Sequence, residues 1–275
     1  MIRAVTLLSG LLGGAAFAAC DAGPPPRSTL RAAAPVSKPA DSSAQASAAL
    51  PHASLEYVEI MTGGARVDEA VPLVVALHGL GDNPEHFLSV FTGFQGRARI
   101  VAPHSEMAWG AGYTWFEGGG DLTDRSAPMI AKMATTVVHF ATEMSRLQPT
   151  LGKPIIMGFS QGGALAFEIE VHHADAVAAA FPVGGWLTPA LWPIEKPPSA
   201  VSITAFHGTA DERVPFDATK AAVARLRQLG FPIELHEYPG VGHGIPPAEG
   251  RDLIGAITAE CEKQRQAGPS LLVQH

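Results

Sequence analysis

The sequence predicts an α/β fold with a mostly parallel central sheet and helices on both faces. Three observations predict it. Short apolar runs alternate with longer segments of helical periodicity along most of the chain, the pattern of strands joined by helical crossovers rather than by hairpins. Candidate reactive residues stand immediately after predicted strands, the place where parallel sheets collect their ligands. The chain has 275 residues, 47% of them hydrophobic and only 16% charged, enough for one large domain with a buried core.

The first 50 residues stand apart from that pattern. Met1-Ile-Arg3 carries one positive charge, Val5 to Phe17 is apolar, and Ala18-Ala19-Cys20 follows, which is the three-part layout of an export signal over residues 1–20. Phe17-Ala-Ala-Cys20 resembles a lipobox with Phe17 in the usual Leu position, so Cys20 is the expected lipidation site; Ala16-Phe-Ala18 offers a competing cleavage site for a periplasmic or secreted product. The apolar run is too short to span a bilayer. Residues 21–50 are rich in Pro, Ala and Ser, including Pro24-Pro-Pro26. They carry too little apolar surface to order themselves and read as a tether. The expectation is an exported protein of the cell envelope, anchored to a membrane through Cys20.

Residues 51–265 are the expected catalytic domain, followed by a tail over 266–275. Strands are expected at Leu55–Met61, Pro72–Leu77, Arg99–Pro103, Lys153–Gly158, Ala176–Val183, Val201–Phe206 and Ile233–Tyr238. Helices are expected at Pro84–Phe91, Ala127–Leu147, Gly162–His172, Pro215–Leu229 and Pro247–Gln264, several opening on a proline whose missing N–H costs nothing in the first turn. A net charge of −7 without any Lys/Arg run argues against a nucleic-acid partner, which needs a basic face. Cys20 and Cys261 lie at opposite ends of the chain and are not expected to pair; Cys261 reads as a small core residue. His172-His173 has no partner cluster and diverges on a helix, so no metal site is expected there.

Gly158-Phe-Ser160-Gln-Gly162 follows the apolar run Ile155-Ile-Met157 and precedes a helix beginning at Ala164. In a strand, turn and helix of this kind, glycines two residues either side of a serine let the strand and helix approach, and the hydroxyl is pushed into the open. Ser160 is therefore the candidate nucleophile. A serine hydroxyl needs a base, and the base needs an orienting acid. Asp211 follows the strand ending at Phe206, and His243 lies in the glycine-lined loop Pro239-Gly-Val-Gly242-His243-Gly244; the order Ser, Asp, His is the one an α/β-hydrolase uses. Asp217 and Glu212 are rival acids, and His207 and His236 rival bases. His236 sits mid-strand and His207 reads as shaping the loop that bears Asp211. The turn His78-Gly79-Leu80-Gly81-Asp82 after Leu77 is where backbone N–H groups converge on developing negative charge, and the Leu80 and Gln161 amides are the expected oxyanion donors.

His78-Gly-Leu-Gly-Asp82, Tyr113-Thr-Trp-Phe-Glu117, Gly158-Phe-Ser-Gln-Gly-Gly163, Gly184-Gly-Trp-Leu187, His207-Gly-Thr-Ala-Asp211 and Gly242-His-Gly244 together resemble the phospholipase/carboxylesterase family that includes acyl-protein thioesterases, over about residues 71 to 265. The resemblance implies a compact α/β-hydrolase without a large lid domain, acting on carboxylic esters, long-chain thioesters or lysophospholipids with no metal or cofactor. It also places the triad on Ser160, Asp211 and His243, and the oxyanion donors on Leu80 and Gln161. The better-known thioesterases of the family work in the cytosol, which sets the export signal at odds with depalmitoylation of signalling proteins. Trp109, Trp115, Phe116, Trp186 and Leu187 crowd two loops after strands and are the expected substrate-binding residues, suited to an acyl chain or an aromatic ester. Other readings keep the triad for a secreted polyester, feruloyl or acetyl-xylan esterase, or a serine peptidase. A surface lipoprotein that binds a ligand on an inactive hydrolase fold is a reading of another kind.

Overall fold

In a computed structural model of the chain, residues 54–117 and 121–268 are described. The expected export signal, Cys20, the expected tether and residues 269–275 of the expected tail lie outside the described residues.

Among the described residues, nine strands and five α-helices follow one another, with helices alternating with the strands of the main sheet as expected. The strands are β1 (Tyr57–Met61), β2 (Val71–Leu77), β3 (Arg99–Pro103), β4 (Met107–Trp109), β5 (Gly112–Thr114), β6 (Thr150–Phe159), β7 (Ala179–Val183), β8 (Ser202–Gly208) and β9 (Ile233–Tyr238). The helices are α1 (Pro84–Phe87), α2 (Ala127–Leu147), α3 (Gln161–His172), α4 (Phe216–Gln228) and α5 (Pro247–Ala267). Seven strands form one sheet in the order β1-β3-β2-β6-β7-β8-β9. Only β1 is antiparallel to its neighbour, pairing β3 with Tyr57 opposite Pro103; the remaining pairs are parallel.

Side-chain alternation along the strands divides the core into two layers. Leu73, Val75 and Leu77 of β2, Ile156 of β6 and Ala205 of β8 pack with α2, α3 and α4. Val74 and Ala76 of β2, Ile155 and Met157 of β6 and Phe206 of β8 pack on the other face with Phe87, Phe91, Leu253, Ile257 and Cys261. The central strand β2 is buried along its whole length. So is α3 apart from its last residue, His172, which is why its sequence lacks a polar stripe.

The differences from expectation are local. The segment Pro84–Phe91 is not one helix: a four-residue α-helix runs straight into a 3-10 turn over Leu88–Phe91. The two-stranded ribbon of β4 and β5, with Trp109 opposite Gly112, is an addition to the expected elements; its strands are only three residues each, too short to leave a period. β6 begins three residues early, at Thr150, where the pairing with β2 shifts register beside Gly152 at φ +67°.

Candidate active site

Four segments leave the C-terminal ends of parallel strands on the same edge of the sheet. The turn after β2 carries Leu80, the turn after β6 carries Ser160, the loop after β8 carries Asp211, and the loop after β9 carries His243. Each is tied to its neighbour through the backbone. The Ser160 amide donates to Val183 O at 2.9 Å, the Gly184 amide to Phe206 O at 2.9 Å, and the Ala210 amide to Val241 O at 2.9 Å. Gly208 has no room for a side chain because a Cβ there would meet the carbonyl of Gly242 at 2.8 Å and that of Val241 closer still. The loops bearing Asp211 and His243 therefore pack backbone to backbone.

Ser160 has φ 56° and ψ −113° and is the only non-glycine residue with positive φ among the described residues. Such a conformation costs an L-residue on the order of 1–3 kcal/mol and persists only where its surroundings impose it. The surroundings are two glycines. A Cβ on Gly158 would run into the Gly162 backbone, with its Cα at 3.0 Å, and a Cβ on Gly162 would lie 2.7 Å from the Leu77 carbonyl carbon. β6, α3 and the end of β2 thus meet at distances only glycine tolerates, and the serine is turned out between them.

The three candidate side chains form one hydrogen-bonded chain. His243 Nε2 lies 2.9 Å from Ser160 Oγ, and His243 Nδ1 lies 2.7 Å from Asp211 Oδ2. The other carboxylate oxygen, Asp211 Oδ1, accepts from the amides of Arg213 and Val214, each at 2.9 Å. The Asp211 carboxylate is 1% exposed and the His243 side chain 12%, so the acid is sealed behind the base and the base faces the opening. Phe159 flanks the imidazole with ring centroids 4.8 Å apart. An imidazole held this way can take a hydroxyl proton during attack on a carbonyl and return it to a leaving group. Of the rivals, Asp217 and Glu212 are exposed and form no part of this chain, and His236 stacks on Phe206 away from it. His207 is fully buried, with Nε2 3.3 Å from Asp211 Oδ2.

Gln161 opens α3, where a first-turn amide has no carbonyl of its own helix to reach. The Leu80 amide likewise has no backbone acceptor among the described residues. Both residues line a cavity of about 430 Å³ together with Gly79, Asp82, Leu122, Phe159, Ser160, Trp186, Arg213, Val214 and His243. Two free amides beside a serine hydroxyl are what an oxyanion requires. The Gln161 side chain does something separate. Its Oε1 accepts from the Trp115 amide at 3.0 Å and from Thr114 Oγ1 at 3.1 Å, fastening the end of the β4–β5 ribbon to the start of α3.

The expected substrate-binding set needs correction. Trp115, Phe116 and Leu187 are 0%, 2% and 3% exposed and belong to the α2–α3 side of the core; none lines the cavity. Trp109 is 47% exposed and lies over Gly81, outside the cavity wall. Only Trp186 lines it. Leu122, Phe159, Arg213 and Val214 escape sequence reasoning of that kind. Phe159 precedes the serine, and Arg213 and Val214 follow Asp211 within three residues, so adjacency is the signal that finds them; Leu122, in a glycine-rich loop, leaves no signal.

A mostly parallel sheet with a Ser-His-Asp chain at its carboxyl edge defines the class as an α/β-hydrolase. Within that class, residues 57–259 match the model of the phospholipase/carboxylesterase family, and the chain belongs to that family. It is similar to acyl-protein thioesterase 1 of Gibberella zeae, 25% identical over 199 residues that span 64% of this chain and 85% of that protein. It is also similar to carboxylesterase SOBER1 of Arabidopsis thaliana, 33% identical over 97 residues, 34% of this chain and 42% of that one. Among solved structures, esterase PE8 shares the fold with a TM-score of 0.61 at 22% identity, covering 76% of this chain and 99% of its own.

Proposed function

We propose that this chain is a serine hydrolase that cleaves carboxylic esters or thioesters through an acyl-enzyme, with Ser160 as nucleophile, His243 as general base and Asp211 as the acid that orients it. The observation that carries the reading is the continuous Ser160–His243–Asp211 hydrogen-bonded chain beneath a serine in a strained backbone conformation. Ser160 Oγ attacks the carbonyl carbon while its proton passes to His243 Nε2, and the charge gathering on the carbonyl oxygen meets the Leu80 and Gln161 amides. The imidazolium then protonates the departing alkoxide or thiolate. Water repeats the sequence on the acyl-enzyme, giving its proton to His243 and releasing the acid and free Ser160. Leu80, Leu122, Phe159, Trp186 and Val214 supply the apolar part of a cavity lining that also includes Asp82 and Arg213; that part suits an acyl group, and the family relationship supports an ester or thioester rather than an amide.

Fluorophosphonate labelling with a p-nitrophenyl ester assay tests this. The wild-type chain should label with one equivalent at Ser160, and Ser160→Ala should neither label nor turn over above about 10⁻⁴ of the wild-type rate. An unlabelled wild type, or a Ser160→Ala variant that still hydrolyses the ester, would end the proposal.

A further inference from the structure

A second histidine bears on the acid of the triad. His207 lies at the end of β8, is 0% exposed, and reaches two oxygens with one nitrogen: Nε2 is 2.9 Å from the Val214 carbonyl and 3.3 Å from Asp211 Oδ2. The Val214 carbonyl can only accept, so Nε2 must carry the proton. Nδ1 is then the lone-pair nitrogen, and it is buried with no partner among the described residues. The ring is held edge-on against Phe216, with centroids 5.7 Å apart. The proton on Nε2 therefore goes to the loop carbonyl, and the same nitrogen stands 3.3 Å from the carboxylate oxygen that accepts from His243 Nδ1 at 2.7 Å.

We propose that His207 is a positioning residue of the hydrolytic site, a neutral imidazole whose Nε2–H, donated to Val214 O and standing 3.3 Å from Asp211 Oδ2, holds the loop that carries the carboxylate in line with His243 and offsets part of the carboxylate's charge. The inference rests on the reading of Asp211 as the acid of the triad. Asp211 accepts from three donors, the Arg213 and Val214 amides on Oδ1 and His243 on Oδ2, and has the His207 Nε2–H 3.3 Å from Oδ2. The positive end of an N–H dipole beside Oδ2 weakens the grip of the carboxylate on the His243 imidazolium. Removing it leaves a more strongly negative carboxylate, and His243 then gives up its proton at higher pH.

The charged groups around this pair are few. Burial, first of all, holds the His207 imidazole below the ordinary histidine value, which favours its neutral form. Glu212 and Arg213 are exposed neighbours on the same loop. From α5, Glu249 is 1% exposed, and burial followed by the charges of Asp211 and Asp252 raises it to about 7. Because Glu249 ionises in the range of the acidic limb, the comparison is made in both the native and the Glu249→Gln backgrounds.

The test is the pH profile of kcat/KM for His207→Phe, which keeps a ring but no donor, and His207→Gln, whose side-chain amide nitrogen can stand where Nε2 stood. His207→Phe should lower kcat about tenfold or more and move the acidic limb up by about 0.5–1 pH unit, while His207→Gln restores the wild-type limb. A purely structural role predicts the opposite ranking, with the ring-preserving variant unshifted. An unshifted limb in His207→Phe, or an equal shift in both variants, overturns the proposal. Should His207→Phe fail to fold, ¹⁵N-histidine spectra of the wild-type protein decide. Protonation at Nε2 alone from about pH 5 to 8 upholds it, and a proton on Nδ1 overturns it. Ser160→Ala and Asp211→Asn are run in parallel. If they stay active the reading of the site itself fails, whereas if they are dead and the residue 207 variants behave as wild type, only the role of His207 fails.

Discussion

The sharpest consequence of the backbone packing is the effect of one methyl group at Gly162. A Cβ built there lies 2.7 Å from the Leu77 carbonyl carbon and 2.8 Å from the Leu77 Cβ, with the carbonyl oxygen nearer still. Carbon atoms settle about 3.5–4.0 Å apart, so in Gly162→Ala the start of α3 must retreat from β2 by roughly an ångström. Both partners are backbone in a fully buried region and cannot rotate away. Overpacking of this kind costs about 1–3 kcal/mol, and the upper end applies; at a few degrees per kcal/mol for a domain of this size, Tm should fall by about 6–12 °C. The same retreat carries the Gln161 amide away from the oxyanion position and shifts Ser160 relative to His243, for which a loss of kcat of about 100-fold is the order expected. The assay is kcat on a short p-nitrophenyl ester beside a thermal melt, with Gly255→Ala as the contrast: that glycine lies exposed in α5 with nothing within 4 Å of its Cβ position, and alanine there should add about 0.5–1 kcal/mol of stability. A Gly162→Ala enzyme with kcat within about threefold of wild type and an unchanged melt would refute the close approach on which the turn depends.

Glu170, in α3, accepts from the Val201 amide at 2.8 Å through Oε1 and has no partner for Oε2 among the described residues; burial raises it from 4.5 to about 8. The folded chain keeps a proton that the unfolded chain releases near pH 4.5, so the contribution of this group to stability is full at low pH and is lost as pH rises through about 8. Glu170→Gln should gain on wild type by roughly a kcal/mol per pH unit across that window in denaturant titrations, and a difference that does not change with pH would contradict it. We propose lipid anchoring at Cys20, in which case Cys20→Ser should move the chain from the membrane to the soluble fraction; unchanged partitioning would rule out lipid anchoring at that position.

The convergence of Ser160, Asp211 and His243 is legible in the sequence because each residue announces itself by what surrounds it. Glycines two residues either side of Ser160 mean a backbone approach, and the Gly162 geometry gives that its physical content. Asp211 and His243 follow apolar runs that parallel pairing is bound to bring to one edge, β8 beside β9 with Gly208 opposite Tyr238. The central strands are legible as continuous apolar runs: β2 is apolar at every position, as a strand covered on both faces must be, and its alternation between the two core layers is seen only in the structure. The β4–β5 ribbon is not, because three residues per strand cannot show a period and its stability comes from contacts distant in sequence, the Gly81 amide on Tyr113 O at 2.8 Å and the Tyr113 amide on Asp82 O at 2.9 Å.

The wall of the cavity is the least legible part, and Trp115 explains why. Large apolar side chains near strand ends serve the core and the site alike, and composition does not separate the two uses. Trp115 stacks on His78 with centroids 4.7 Å apart, donates from Nε1 to His78 O at 2.8 Å, and takes the Gln161 side chain on its own amide. It thus touches both segments that present the free amides, the turn before Leu80 and the start of α3, without reaching the cavity. On the proposed reading of the two amides as oxyanion donors, a ring in that position braces them from behind, so Trp115 acts on the chemistry through rigidity, whereas Trp186 lines the cavity. What faces the acyl group is left to residues adjacent to the reactive ones, Phe159 and Val214 among them. Their place is set by the same strand ends that set the triad, which ties the shape of the cavity to the backbone geometry that holds the nucleophile.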